Sequence, residues 1–148
     1  MSSKNPIAYI NITTFSHATE DPEKVQTAIC NTLPEALTEN LTFTKTALTG
    51  HHGNSITIYE TKLTDKQTLP TTLQKIAQAL TPLDKETLNN EITQHIEKGN
   101  LYLRFNKQNA YQGTLKLATN DPIRFKIHFE NKTPEEIVDI CRKAGLLP

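Results

Sequence analysis

Apolar and polar side chains alternate along residues 7–15, IAYINITTF, where Ile10 and Ile12 are interleaved with Asn11 and Thr13. A period of two sends successive side chains to opposite faces of an extended chain, so this β-branched run predicts a half-buried strand. The period then changes. Asp21 followed by Pro22 predicts a helix start, since the carboxylate can accept free backbone N–H groups and proline has none to waste in the first turn. The helix runs over 22–33, with Val25, Ala28, Ile29 and Leu33 on one stripe, and Pro34 ends it. Two β-rich runs, LTFTKTAL (41–48) and SITIYETKL (55–63), flank TGHHGN and predict a strand pair. Leu73, Ile76, Ala77 and Leu80 then recur at helical spacing behind Pro70. A second helix is expected from Thr81-Pro82, with Leu88, Ile92 and Ile96 inward and Gly99 closing it.

The last third returns to alternation, predicting strands near 100–107, 114–119 and 123–129, the latter two joined at TNDP. Thr133 and Glu136 bracket a capping box for a final helix to about Ala144, followed by Gly145. Strands in groups and helices in groups predict an α+β fold with a largely antiparallel sheet covered on one face. With 148 residues, no internal repeat and no low-complexity linker, the chain (1–148) is expected to form a single domain.

Candidate chemistry narrows the picture mostly by exclusion. Cys30 and Cys141 stand far apart without a CxxC or Cys/His spacing, so both are expected to be reduced thiols. A secretory leader pattern and an apolar run of the ~18 residues needed for a membrane span are both missing, so a cytoplasmic protein with no membrane partner is expected. Adjacent His51 and His52 diverge on an extended backbone and make poor joint ligands for a metal. Glu20 and Asp21 are expected to serve the first turn of the helix, where negative charge complements the dipole, with His17 near the helix entrance. The phosphate-binding glycine loops, nucleophile elbows and dense carboxylate clusters of common enzymes are missing, so neither an enzyme nor a cofactor or metal is expected.

Charge adds an asymmetry. The formal net charge is zero, yet residues 98–132 carry Lys98, Arg104, Lys107, Lys116, Arg124, Lys126 and Lys132 against only Asp121 and Glu130. Parity assigns faces: Leu101, Leu103 and Phe105 oppose Tyr102, Arg104 and Asn106, while Ile123, Phe125, Ile127 and Phe129 oppose Arg124, Lys126 and His128. In 114–118, Leu115 and Leu117 oppose Lys116. If the apolar sides share one core, the other side is a basic, partly aromatic sheet surface. Cations attract phosphates and exposed rings stack unpaired bases, a combination suited to single-stranded RNA. The segment NKQNAYQG (106–113), too short for a helix of its own, leaves the edge of that surface with Lys107, Gln108, Asn109 and Tyr111 able to bind RNA or to hold their own turn.

Four blocks in order, FSHATEDPEKV (15–25), TGHHGNSI (49–56), LYLRFNKQNAYQG (101–113) and DPIRFKI (121–127), resemble an archaeal RNA-binding protein family predicted to be exosome-associated. The family is similar in fold to the 5S-rRNA-binding ribosomal proteins, which implies a curved antiparallel sheet backed by helices. Its polar motif positions fall here on His17, Thr19, Glu20, Asp21, Gly50, Gly53, Asn54, Arg104, Lys107, Gln108, Tyr111, Gly113, Asp121, Arg124 and Lys126. The resemblance implies a non-catalytic RNA-binding accessory factor in RNA processing or degradation. Net neutrality and many exposed Thr and Asn point to weak or partner-assisted binding. The expected contacts are Arg104, Lys107, Lys116, Arg124 and Lys126 to phosphates, and Gln108, Asn109 and Tyr111 to bases and riboses, with His17, Asn54, Tyr102 and His128 secondary. An alternative remains: an adaptor on the ribosome or an RNA-processing assembly, such as the exosome, that has no RNA affinity of its own.

Overall fold

A computed structural model of the chain describes residues 6–38, 41–49 and 53–148. Among these residues six strands form one antiparallel sheet: β1 (Ile7–His17), β2 (Thr44–Thr49), β3 (Ser55–Leu63), β4 (Ile96–Glu97), β5 (Asn100–Asn106) and β6 (Pro122–Phe129), in the order β2-β3-β1-β6-β5-β4. The helices are α1 (Pro22–Asn31), α2 (Glu35–Thr38), α3 (Leu69–Ala79), α4 (Pro82–Asn90), α5 (Lys107–Tyr111) and α6 (Pro134–Lys143).

Alternation decides which side of the sheet is covered. Ile10 and Ile12 of β1, Tyr59 and Leu63 of β3, Leu101, Leu103 and Phe105 of β5, and Ile123 through Phe129 of β6 at every second position are all buried. They meet Val25, Ala28 and Ile29 of α1, Leu73 and Ile76 of α3, Leu88 of α4, and Ile137 and Cys141 of α6 in one core cluster. Phe105 and Phe125 pack edge to face at 5.3 Å between ring centroids, a favoured aromatic geometry. The α+β fold with an antiparallel sheet is therefore as expected from the sequence.

The helix starts follow their capping residues. Asp21 accepts from the backbone N–H of Glu23, Thr81 from that of Asp84, and Thr133 with Glu136 closes a reciprocal capping box. Between β4 and β5 the chain reverses through Lys98 (φ 52°) and Gly99 (φ 81°), two consecutive left-handed residues of the kind a tight hairpin needs.

Several expected elements differ. The helix expected up to Ile96 stops at Asn90, gives one 3-10 turn over Ile92–His95, and enters the short strand β4. The strand expected at 114–119 is reduced to a single bridge between Leu117 and Phe105, because only Asn106 N–H to Lys116 and Ala118 N–H to Arg104 tie it to β5. Residues 107–111, too short for a helix by sequence pattern, do form one. Asn106 caps it by accepting from the backbone N–H of Asn109. Gly50, His51 and His52 of the GHHGN block lie outside the described residues.

Candidate nucleic-acid interface

Side chains facing away from the core build an open sheet surface whose composition follows from register. Arg104 of β5 stands directly opposite Arg124 of β6, and Tyr102 opposite Lys126. On the other flank of β6, Thr13 faces Arg124, Asn11 faces Lys126 and Tyr9 faces His128. β3 continues the row, with Lys62 opposite Asn11. Like charges directly across a sheet repel, yet among the described residues neither Arg104 nor Arg124 has a carboxylate within ion-pair distance. Both guanidiniums are exposed.

Aromatic rings are interleaved with these cations. The Arg124 guanidinium lies 4.8 Å from the Tyr102 ring centroid, and the Lys62 ammonium 4.4 Å from that of Tyr9. Tyr9 stacks on His128 at 5.0 Å, and His128 Nδ1 is 2.7 Å from Asn100 Oδ1. Lys126 approaches the same Tyr9 ring at 5.9 Å. Cation and ring alternate across the four strands β3, β1, β6 and β5. Tyr9 and Lys62 were not among the sequence-derived candidates. For Tyr9 the signal was there, since it shares the parity of Asn11 and Thr13 opposite Ile10 and Ile12; Lys62 lies on a strand whose faces the sequence reading did not divide.

Lys107 has a different setting from the phosphate contact expected of it. Its side chain is 10% exposed, and the ammonium donates to the Phe15 carbonyl (2.7 Å), to both Glu20 carboxylate oxygens (2.9 and 3.0 Å) and to Asp121 (3.0 Å). His17 Nε2 joins the cluster 3.1 Å from Asp121 Oδ1, while its backbone N–H donates to Glu20. Glu20 is therefore committed to Lys107 and the β1 turn rather than to the dipole of α1, a correction to the reading that grouped it with Asp21. Asp121 adopts a left-handed φ of 47°, which Asp tolerates better than most residues. Partial burial pushes the Asp121 carboxyl pKa up, but hydrogen bonds and charge from Lys107 and His17 outweigh that and hold it below its ordinary value. His17, Glu20 and Asp121 hold donor atoms within 4.8 Å of one another, a spacing compatible with a metal ion. The Lys107 ammonium already sits between the two carboxylates and supplies the positive charge. The cluster thus ties the end of β1, the entry to α1, the start of α5 and the entry to β6 into one corner.

The remaining candidates divide by location. Lys116 is exposed beside the outer edge of β5, and Asn54 is exposed just before β3. Gln108 and Tyr111 turn toward α1, lining a cleft of about 360 Å³ with Thr19, Asp21 and Lys24, whose ammonium stands 5.7 Å from the Tyr111 ring. Asn109 is half-buried in α5, and Asn31 of α1 donates to the carbonyls of Ala110 and Tyr111, locking the two helices together. The sheet surface and the α1–α5 cleft are separate groups on either side of the Lys107 corner.

An antiparallel sheet with one face sealed by helices and the other open, cationic and aromatic has the make-up of a sheet-surface nucleic-acid binder. The chain belongs to the RNA-binding family, whose model, described as RNA binding, matches residues 9–129. The RNA-binding protein PAB1135 of Pyrococcus abyssi is 29% identical over 148 residues, covering 97% of this chain and 96% of that protein. The structure of Mth689, a DUF54 protein from Methanothermobacter thermautotrophicus, is 29% identical with a TM-score of 0.77 over 93% of this chain and 97% of that one. Protein AF2318 from Archaeglobus fulgidus, also DUF54, shares the fold with a TM-score of 0.77 at 24% identity, over 93% of this chain and 99% of that one. Among the described residues no helix is long and apolar enough to cross a membrane.

Proposed function

We propose that this protein binds single-stranded RNA without catalysis through the open face of the sheet, as an accessory factor in RNA processing or degradation. The observation that carries the reading is the Arg104–Arg124 pair, two registered and exposed guanidiniums that have no carboxylate within ion-pair distance among the described residues. Such a pair costs stability in isolation and is relieved by a bound phosphate, which accepts bidentately from a guanidinium fork. Arg104, Arg124 and Lys126 contact phosphates, with Lys116 at the edge. Tyr102, Tyr9 and His128 offer stacking surfaces for unpaired bases. Lys107 acts as a positioning residue that fixes the corner from which β6 and its arginine emerge. Gln108, Asn109 and Tyr111 extend the contact toward the α1–α5 cleft. Membership of the RNA-binding family supports this reading, and the resemblance of the four sequence blocks supports a role beside an exosome and a likeness to the 5S-rRNA-binding ribosomal proteins.

Fluorescence anisotropy with labelled single-stranded RNA across a salt series tests it. Arg104→Ala/Arg124→Ala, exposed and tolerated by the fold, is expected to weaken binding and to make the slope of log affinity against log salt shallower by about 1.4, two phosphates at about 0.7 each. Unchanged affinity and slope in the folded double variant would refute the assignment of this face.

A second reading is favoured by the other end of the same face. Phe15 (45% exposed) and Leu48 (47% exposed) flank half-buried Ile56 and Ile58 there, beside the uncovered edge strand β2. An apolar, edge-strand surface suits a protein contact, so the adaptor role and the RNA role can occupy opposite ends of one sheet.

A further inference from the structure

A pocket of about 620 Å³ is lined by residues of α4, the 3-10 turn after it, β4, β5, β6 and the segment 117–119. The volume falls within the ~300–1,000 Å³ typical of small-ligand sites. Its walls differ in sign: Arg104 and Arg124 line it together with Tyr102, while Asp84, Glu91 and Glu97 line it as well. A groove for phosphate alone would not carry three carboxylates, since each repels the backbone it is meant to hold. One of them is used internally, because Asp84 accepts from the Leu117 N–H at 3.3 Å. Glu91 and Glu97 are exposed, and His95 Nε2 approaches Glu91 at 3.6 Å while its Nδ1 is tied to the Tyr102 carbonyl at 2.9 Å.

We infer that this pocket selects guanine, an inference resting on the RNA-binding reading above. A carboxylate has two acceptor oxygens side by side and is matched by a base edge with two adjacent donors. Guanine has that edge in N1–H and the 2-amino group; adenine and cytosine offer one amino group beside a ring acceptor, and uracil one imide N–H between two carbonyls. The adjoining Hoogsteen edge of guanine carries O6 and N7, two acceptors that a guanidinium fork bonds bidentately. A pocket with arginines and carboxylates on its walls therefore complements both edges of one base. The Tyr102 ring, already held against Arg124 at 4.8 Å, supplies a plane on which that base stacks. Glu91 and Glu97 are the specificity residues and the two arginines serve base and backbone alike.

The test is competition anisotropy with short single-stranded RNAs of equal length that differ at one central nucleotide in a uridine background: guanosine, inosine, adenosine, cytidine or uridine. Guanosine is expected to bind about tenfold more tightly than the other standard bases, a modest bidentate discrimination. Inosine, which lacks the 2-amino donor, should lose most of that advantage. Glu91→Gln/Glu97→Gln should erase the preference while the salt slope stays that of the wild type. Equal affinity for all five RNAs with salt-dependent binding intact would overturn the guanine inference and leave the RNA reading standing. Uniformly tighter binding of every RNA by the Gln variant would also overturn it, because the carboxylates would then act only as repulsive charge. No binding to any RNA at low salt would overturn both.

Discussion

Replacing Lys107 by methionine keeps the chain length and helix propensity of the side chain but deletes the charge that holds three segments together. The ammonium is nearly buried and has four close oxygen contacts: the Phe15 carbonyl, both oxygens of Glu20 and one of Asp121. Without it, two carboxylates and a carbonyl face one another with no cation between them except the His17 ring at Asp121. Breaking a fully buried pair on one side costs about 3–5 kcal/mol and an exposed pair less than about 1. Here the acids are 30% and 43% exposed and recover part of their hydration, which places the expected loss at about 2–3 kcal/mol. For a domain of this length that corresponds to a melting temperature about 5–10 °C lower. Urea denaturation at several pH values is the assay. The folded-state pKa of Asp121 is depressed, its burial being outweighed by Lys107 and His17. Its stabilising contribution is therefore complete above the unfolded carboxylate pKa of about 3.9 and is lost as pH falls through the lower folded value. The gap between wild type and Lys107→Met should be full at neutral pH and narrow below about pH 4. A gap under about 0.5 kcal/mol at neutral pH, the usual effect of a surface substitution, would refute the account. So would one that fails to narrow on acidification.

Gly99→Ala should destabilise the fold by about 2 kcal/mol or more, since it adds left-handed strain to a Cβ placed 3.1 Å from the Phe129 carbonyl. Gly113→Ala, at a similar positive φ but with nothing within 4 Å of the added carbon, should cost only the conformational share of about 1 kcal/mol by urea melt. A thiol reagent at pH 8 should label Cys30 of the native protein and leave Cys141 until unfolding, because burial pushes the Cys141 thiol up to about 12. Equal labelling of both cysteines in folded protein would contradict that.

What the sequence disclosed and what it hid divide along the range of the forces involved. Alternation in 101–106 and 123–129 is a local signal, and it suffices to place Arg104, Arg124, Tyr102 and Lys126 on the face opposite the core. The same signal misled at 114–119, where Leu115 and Leu117 alternate but the neighbouring chain supplies only one bridge. Leu88, Ile92 and Ile96 keep helical spacing across a break, so periodicity did not reveal that the helix ends at Asn90 and that Ile96 belongs to a strand. α5 has five residues, too few for any period to show, and only its cap at Asn106 was visible in principle. Lys107 was read as a free cation because two of its partners, Phe15 and Glu20, lie 92 and 87 residues away. Every member of that corner does, however, fall within the four blocks that carry the family resemblance.

The strand order has a kinetic consequence. Strands β2, β3 and β1 come from the first part of the chain and β6, β5 and β4 from the last, and the two half-sheets meet along the β1–β6 seam. That seam joins distant parts of the chain: Thr14 and the Pro122 carbonyl, for example, bond across 108 residues. Closing so long a loop carries an entropic cost before any native contact across it forms. Closure of the β1–β6 seam is therefore expected to be a slow step in folding, and the Lys107 corner, which bridges both halves, is expected to slow their parting.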